Sequence, residues 1–100
     1  MIISSQTYRD DNIIEAKRQA NDYSVTVATI TDPKTDDEYT VVVDGHHSLS
    51  AAQMDDVAPE YVEAEYNYQS EVNHMGLAAW LETIAVDGQW YDVETEMPIW

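Results

Sequence analysis

Apolar and polar positions along this chain fall into two rhythms. From Tyr23 to Thr31 they alternate, with Val25, Val27 and Thr29 on one face and Ser24, Thr26, Ala28 and Ile30 on the other. That spacing predicts a strand. Asp32-Pro33-Lys34-Thr35-Asp36-Asp37 crowds proline with aspartates and predicts a turn. Tyr39 to Val43 then returns antiparallel, so residues 24–43 are expected to form a β-hairpin. Its second arm contains Val41-Val42-Val43, three β-branched residues in succession, as in a strand buried on both faces. Helical spacing appears elsewhere. Ile13, Ile14, Lys17 and Ala20 predict a helix near 11–21 capped by Asp10 or Asp11, and Leu49, Ala51 and Ala52 belong to one near 46–55. Leu77, Trp80, Leu81 and Ile84, with Val72 and Met75 a turn earlier, predict a third near 70–83 capped by Ser70.

Weaker signals fill the gaps. Ile2 and Ile3 suit a short strand or arm pinned to the core. Tyr61 to Tyr68 alternates and predicts a half-exposed strand, and Asp87-Gly88 predicts a tight hairpin turn. Tyr91 to Trp100 can add an edge strand, with Trp100 docked on the body or on a partner. The expected fold is α/β (α+β): a small mixed sheet with about three helices, in one domain over residues 1–100.

The candidate chemistry sits where the valine strand stops. Asp44-Gly45 breaks the chain, and a helix begins behind it at His46. A strand, a glycine turn and a helix N-terminus gather free backbone N–H groups at one point, which suits an anion or phosphate. Asp44, His46 and His47 are the candidate catalytic residues. A histidine there can donate to a bound anion or move a proton near neutral pH, or serve as half-buried scaffold. Asp44 can hold a cation or cap the helix. Ser48 and Ser50 are hydroxyl candidates, but Gly45-His46-His47-Ser48 lacks the spacing of a nucleophile elbow. A zinc site needs a third ligand, from His74, Glu63, Glu65 or Glu71, and neighbouring helical histidines diverge by about 100°, so no metal ligand is assigned. Weak magnesium binding by carboxylates fits the composition better.

The run Val43-Asp44-Gly45-His46-His47-Ser48-Leu49-Ser50-Ala51-Ala52 resembles the DGHHR-type turn of the ParB/sulfiredoxin-like superfamily. The resemblance spans residues 39–68. It implies that Gly45, His46, His47 and Ser48 hold the phosphates of a nucleotide, with magnesium, for nucleotide hydrolysis or phosphoryl transfer. In that superfamily an arginine follows the histidine pair. Here Ser48 stands in its place, with Arg9 and Arg18 in or near the early helix as substitutes.

Charge pulls in another direction. The chain has 20 acidic and 4 basic residues, a formal net charge of -16, and no lysine or arginine after Lys34. Such a surface repels nucleic acid and anionic membranes and attracts basic partners. Seven tyrosines and three tryptophans, several set among carboxylates, suit a protein interface. With no cysteine, no disulfide framework is expected. The N-terminus lacks the pattern of a signal peptide and no apolar run approaches a membrane span, so a cytoplasmic protein is expected. The leading expectation is a small acidic binding protein, an inhibitor or DNA mimic of phage or mobile-element type on a degenerate ParB-like domain, engaging a basic nucleic-acid-handling protein. The alternative is a nucleotide- or phosphate-binding enzyme using the Asp44–His47 turn.

Overall fold

A hairpin forms the middle of the structure, a computed structural model that describes residues 1–6, 9–85 and 89–99. In chain order the elements are β1 (Ile2–Ser4), α1 (Asp11–Gln19), β2 (Ser24–Thr31), β3 (Glu38–Asp44), α2 (His46–Met54), β4 (Glu60–Glu63), α3 (Tyr68–Met75), α4 (Leu77–Ile84) and β5 (Tyr91–Asp92). The β2–β3 hairpin pairs antiparallel as its alternation predicts, with Val27 opposite Val42 and Ile30 opposite Tyr39. β4 joins β2 in parallel, β1 joins β3 in parallel, and β5 joins β1 antiparallel. The result is a mixed five-stranded sheet in the order β4-β2-β3-β1-β5, within an α+β fold.

Helices cover both faces of this sheet, and the hairpin is buried on both accordingly. Val25, Val27 and Val42 pack with Leu49 of α2 and with Val93 on one face. Ala28, Ile30 and Val41 pack with Ile3, Val72, Leu77, Trp80, Leu81 and Trp90 on the other. Both faces of β2 are therefore core, at Val25 and Val27 on one and at Ala28 and Ile30 on the other, while Thr29 is exposed. The second cluster holds the largest buried side chain, Trp80. Truncating such a ring to alanine costs about 3–5 kcal/mol.

Several expectations need correction. The helix expected over 70–83 is two helices, broken at Gly76, whose φ of 88° and ψ of 156° belong to a region only glycine occupies comfortably. Its cap is Asn67, which accepts from the Ser70 N–H, and not Ser70. The strand expected over 61–68 is confined to Glu60–Glu63, all four exposed, and Tyr68 already belongs to α3. α1 ends at Gln19 and buries only Ile14 of its expected stripe. Asp10 does cap it, accepting from the N–H groups of Asn12 and Ile13. The tail adds the short edge strand β5. The Asp87-Gly88 turn and the docking of Trp100 lie outside the described residues.

Candidate functional site

Strand, turn and helix follow one another across residues 38–54 as the sequence predicts. Gly45 makes the turn in the left-handed region, at φ 91° and ψ 23°. Two constraints fix glycine here. A side chain at this φ is strained, and a Cβ would lie 2.7 Å from the Ser24 carbonyl oxygen and 2.9 Å from the Val25 Cα. The Gly45 carbonyl accepts the first bond of α2, from the Leu49 N–H at 2.9 Å. No side chain caps the helix. The Asp44 carboxylate instead accepts the N–H of Gly45 at 2.8 Å, which closes the turn from outside. The N–H groups of His46, His47 and Ser48 stand in the first turn, at the positive end of the helix.

The side chains of this motif are drawn to different parts of the fold. His46 is buried, its ring 5.8 Å from that of His47. His47 turns toward α1, and its Nε2 accepts the backbone N–H of Asp10 at 3.3 Å. A neutral imidazole that accepts at Nε2 carries its proton on Nδ1. Ser48 points inward and is buried. It contributes to a set of groups around Asp22 that hold that carboxyl below the usual range: Lys17 first, then the Ser24 N–H, with the Ser48 hydroxyl adding least. Ser48 thus serves the α1–β2 connection. Of the two substitutes, Arg18 donates to Asp55 at 2.6 Å and Glu15 at 3.0 Å, and Arg9 faces Glu96 at 3.7 Å.

The Arg18 contact shows how α2 is held. Asp55, at the end of α2, also accepts the Tyr23 hydroxyl at 2.8 Å. Tyr23 and Arg18 lower the Asp55 pKa, and Asp55 in turn raises the Tyr23 phenol. Asp10 and His47 meet at the N-terminal ends of α1 and α2, Arg18 and Asp55 at the C-terminal ends. Both pairs are separated by 37 residues, so the two helices run parallel and in register.

Three clefts open away from the turn itself. A cleft of about 340 Å³ opens between α4 and the hairpin, lined by Asp32, Tyr39, Leu77, Ala78, Leu81, Glu82 and Trp90. Two others, of about 370 and 330 Å³, share Arg9 and Glu96. None of these three includes Gly45, His46 or His47. The 330 Å³ cleft includes Ser50, whose buried hydroxyl has no hydrogen-bond partner among the described residues. Among those residues no three His, Asp or Glu side chains gather as a metal site. Nor is any helix among them long and apolar enough to cross a membrane.

The outer edge of β2 carries a feature that sequence reasoning missed. At the last residue of β4, the Glu63 carboxylate accepts both the N–H of Thr29 at 2.7 Å and its hydroxyl at 2.8 Å. The Gln69 amide then accepts from the Thr31 N–H at 2.8 Å and donates to the Thr31 carbonyl at 2.9 Å. Two side chains thus continue the ladder that the strand leaves off. Comparison with protein-family models, with curated proteins and with solved structures finds no match for this chain.

Proposed function

We propose that this is a small acidic binding protein that occupies the basic face of a nucleic-acid-handling protein, in the manner of an inhibitor or DNA mimic of phage or mobile-element type. It would be a ParB/sulfiredoxin-like domain whose phosphate turn has become scaffold. The observation that carries this reading is the disposition of charge. The chain has 4 basic residues against 20 acidic ones. Three of the four lie against carboxylates: Lys17 on Asp22 at 2.9 Å, Arg18 on Glu15 and Asp55, and Arg9 on Glu96. Most carboxylates among the described residues therefore face solvent without a cation of the chain's own. A basic partner relieves that repulsion, and the field speeds encounter with it.

The test is competition. A tagged protein is used to capture its partner at low and at physiological salt, and duplex DNA is then added. A basic protein held at low salt, weakened by screening at a Debye length of about 8 Å near 0.15 M and displaced by DNA, is the expected result. Retention of neutral proteins insensitive to salt and DNA refutes the reading.

A second reading keeps the turn as a nucleotide or phosphate site, favoured by the left-handed Gly45 at a helix start with no side-chain cap. Because His46 is buried, its substitution would disturb packing as well as any site. The cleaner test is titration with nucleotide and magnesium while following the backbone amides of His46, His47 and Ser48. Shifts confined to those amides support the site, and unshifted amides at millimolar ligand remove it.

A further inference from the structure

We propose that β4 is an acceptor edge, which takes a short basic segment of another protein as an added strand through the outward backbone groups of Tyr61 and Glu63. The proposal rests on the acidic-binding reading and names where, and in what form, the partner docks.

Hydrogen bonding on the two sides of β4 is unequal. Toward β2, the Glu60 N–H donates to the Tyr23 carbonyl and the Ala64 N–H to that of Val27. Alternation along a strand then turns the N–H and C=O of Tyr61 and Glu63 away from the sheet. The chain closes the exposed end of β2 with Glu63 and Gln69, as native sheets close edges that would otherwise recruit a strand. β4 is the terminal strand of the sheet on this side, and all four of its residues are exposed. Tyr61 and Val62 are 38% and 42% exposed, so apolar surface accompanies the open backbone.

Charge selects the occupant. Glu60 and Glu63 bracket the strand and Glu65 follows it. Glu94 lies close enough to add to the effect of burial in raising the Tyr61 phenol. A second copy would bring glutamates against glutamates, which disfavours self-pairing. A basic strand meets the same edge with opposite charge.

The sheet register refines its pattern. Tyr61 and Glu63 lie level with Val25 and Val27 and share their face, while Glu60 and Val62 lie level with Ser24 and Thr26 on the other. Each face therefore carries one apolar and one acidic position, Glu60 on one and, on the other, Glu63, whose carboxylate also accepts from Thr29. The matching strand reads basic, apolar, apolar, basic, and that order is the same in either direction. Strand addition would supply backbone bonds for affinity and side-chain pairs for specificity.

The test uses a blocked peptide with an Arg-Val-Val-Arg core, and one with Glu-Val-Val-Glu as control, titrated into the full chain labelled for amide NMR. Only the basic peptide should bind, and it should slow exchange of the Tyr61 and Glu63 amides. Tyr61→Pro and Tyr61→Thr both remove the ring, but only proline removes the outward N–H, at a position where an edge strand accepts it. The proline variant should bind at least tenfold more weakly than the threonine variant. Equal affinity of the two, shifts located away from β4, or no binding of the basic peptide overturns the proposal. Should the proline variant not fold, exchange protection in the parent decides alone. DNA-displaceable capture of a basic protein is a separate readout, so the edge can fail while the acidic-binding reading stands.

Discussion

The Nε2 of His47 accepts the backbone N–H of Asp10 at 3.3 Å, which joins the starts of two parallel helices. Asp10 in turn caps α1 through its carboxylate. A histidine that the motif places at the mouth of a phosphate turn is thus a strut between α2 and α1. His47→Ala removes one hydrogen bond to a backbone donor, an expected loss of about 1 kcal/mol in a denaturant midpoint measurement. Amide exchange at Asp10 should quicken more than exchange at the centre of α2. An unchanged Asp10 rate would mean that the imidazole does not carry this joint.

The two glycines with positive φ should respond differently to alanine. Gly45 meets backbone atoms at 2.7 and 2.9 Å where a Cβ would stand, whereas the same position at Gly76 meets nothing within 4 Å. Backbone strain costs about 1–3 kcal/mol at either. Overpacking adds about 1–3 kcal/mol at Gly45 only. Gly45→Ala should therefore unfold at clearly lower denaturant than Gly76→Ala, and the reverse order would contradict the turn geometry.

Asp55 sets a pH dependence. Its pKa is lowered by Tyr23 and Arg18, so the stability it contributes is present above the ordinary carboxylate value, about 4, and is lost as pH falls through the lower folded value. Tyr23 is raised by Asp55, so its contribution is present below the ordinary phenol value, about 10, and is lost as pH rises through the higher folded value. Urea midpoints of the parent and Asp55→Asn should differ at pH 7 and converge as the Asp55 carboxyl of the parent becomes neutral in acid. Those of the parent and Tyr23→Phe should converge above pH about 10 instead. Subtracting each variant from the parent cancels the general repulsion of so acidic a chain. A gap that widens in acid for Asp55→Asn would reverse the sign argued here.

Local patterns carried much of this fold. Three successive valines announced a strand buried on both faces, and Asp44-Gly45 announced the turn into α2. The break at Gly76 was also written locally, in a phase that simple spacing overlooks. Five residues turn a helix by about 500°, so an unbroken helix would set Leu77 about 140° away from Val72. Both are buried in one core, and the kink at Gly76 is what brings them there. The contacts of the motif residues were not legible, because they join residues distant in sequence. His47 is engaged by Asp10, Ser48 turns toward Asp22, and Arg18 is drawn to Asp55. The strand over 61–68 failed for a related reason: its period of two persists, but the paired register with β2 runs only over residues 60–63.

Gln69 imitates a peptide group, and its amide can be dissected. It accepts from the Thr31 N–H and donates to the Thr31 carbonyl, in the positions a neighbouring strand would occupy. Gln69→Ala should cost about 1–3 kcal/mol, for these two hydrogen bonds and a third that the amide donates to Asn73 at 2.9 Å. It should also speed exchange of the Thr31 amide while leaving that of Val27, under β4, unchanged. Gln69→Glu separates the two bonds. An ionised carboxylate still accepts from the N–H but sets oxygen against the Thr31 carbonyl oxygen, so this variant should be weakened at pH 7. Once protonated, below the ordinary glutamate value of about 4.3, the acid regains a donor and can restore both bonds. Relative to Gln69→Ala, Gln69→Glu should therefore gain stability as pH falls from 6 to 3. A constant difference between the two variants across that range would show that the Thr31 carbonyl does not depend on a donor at position 69.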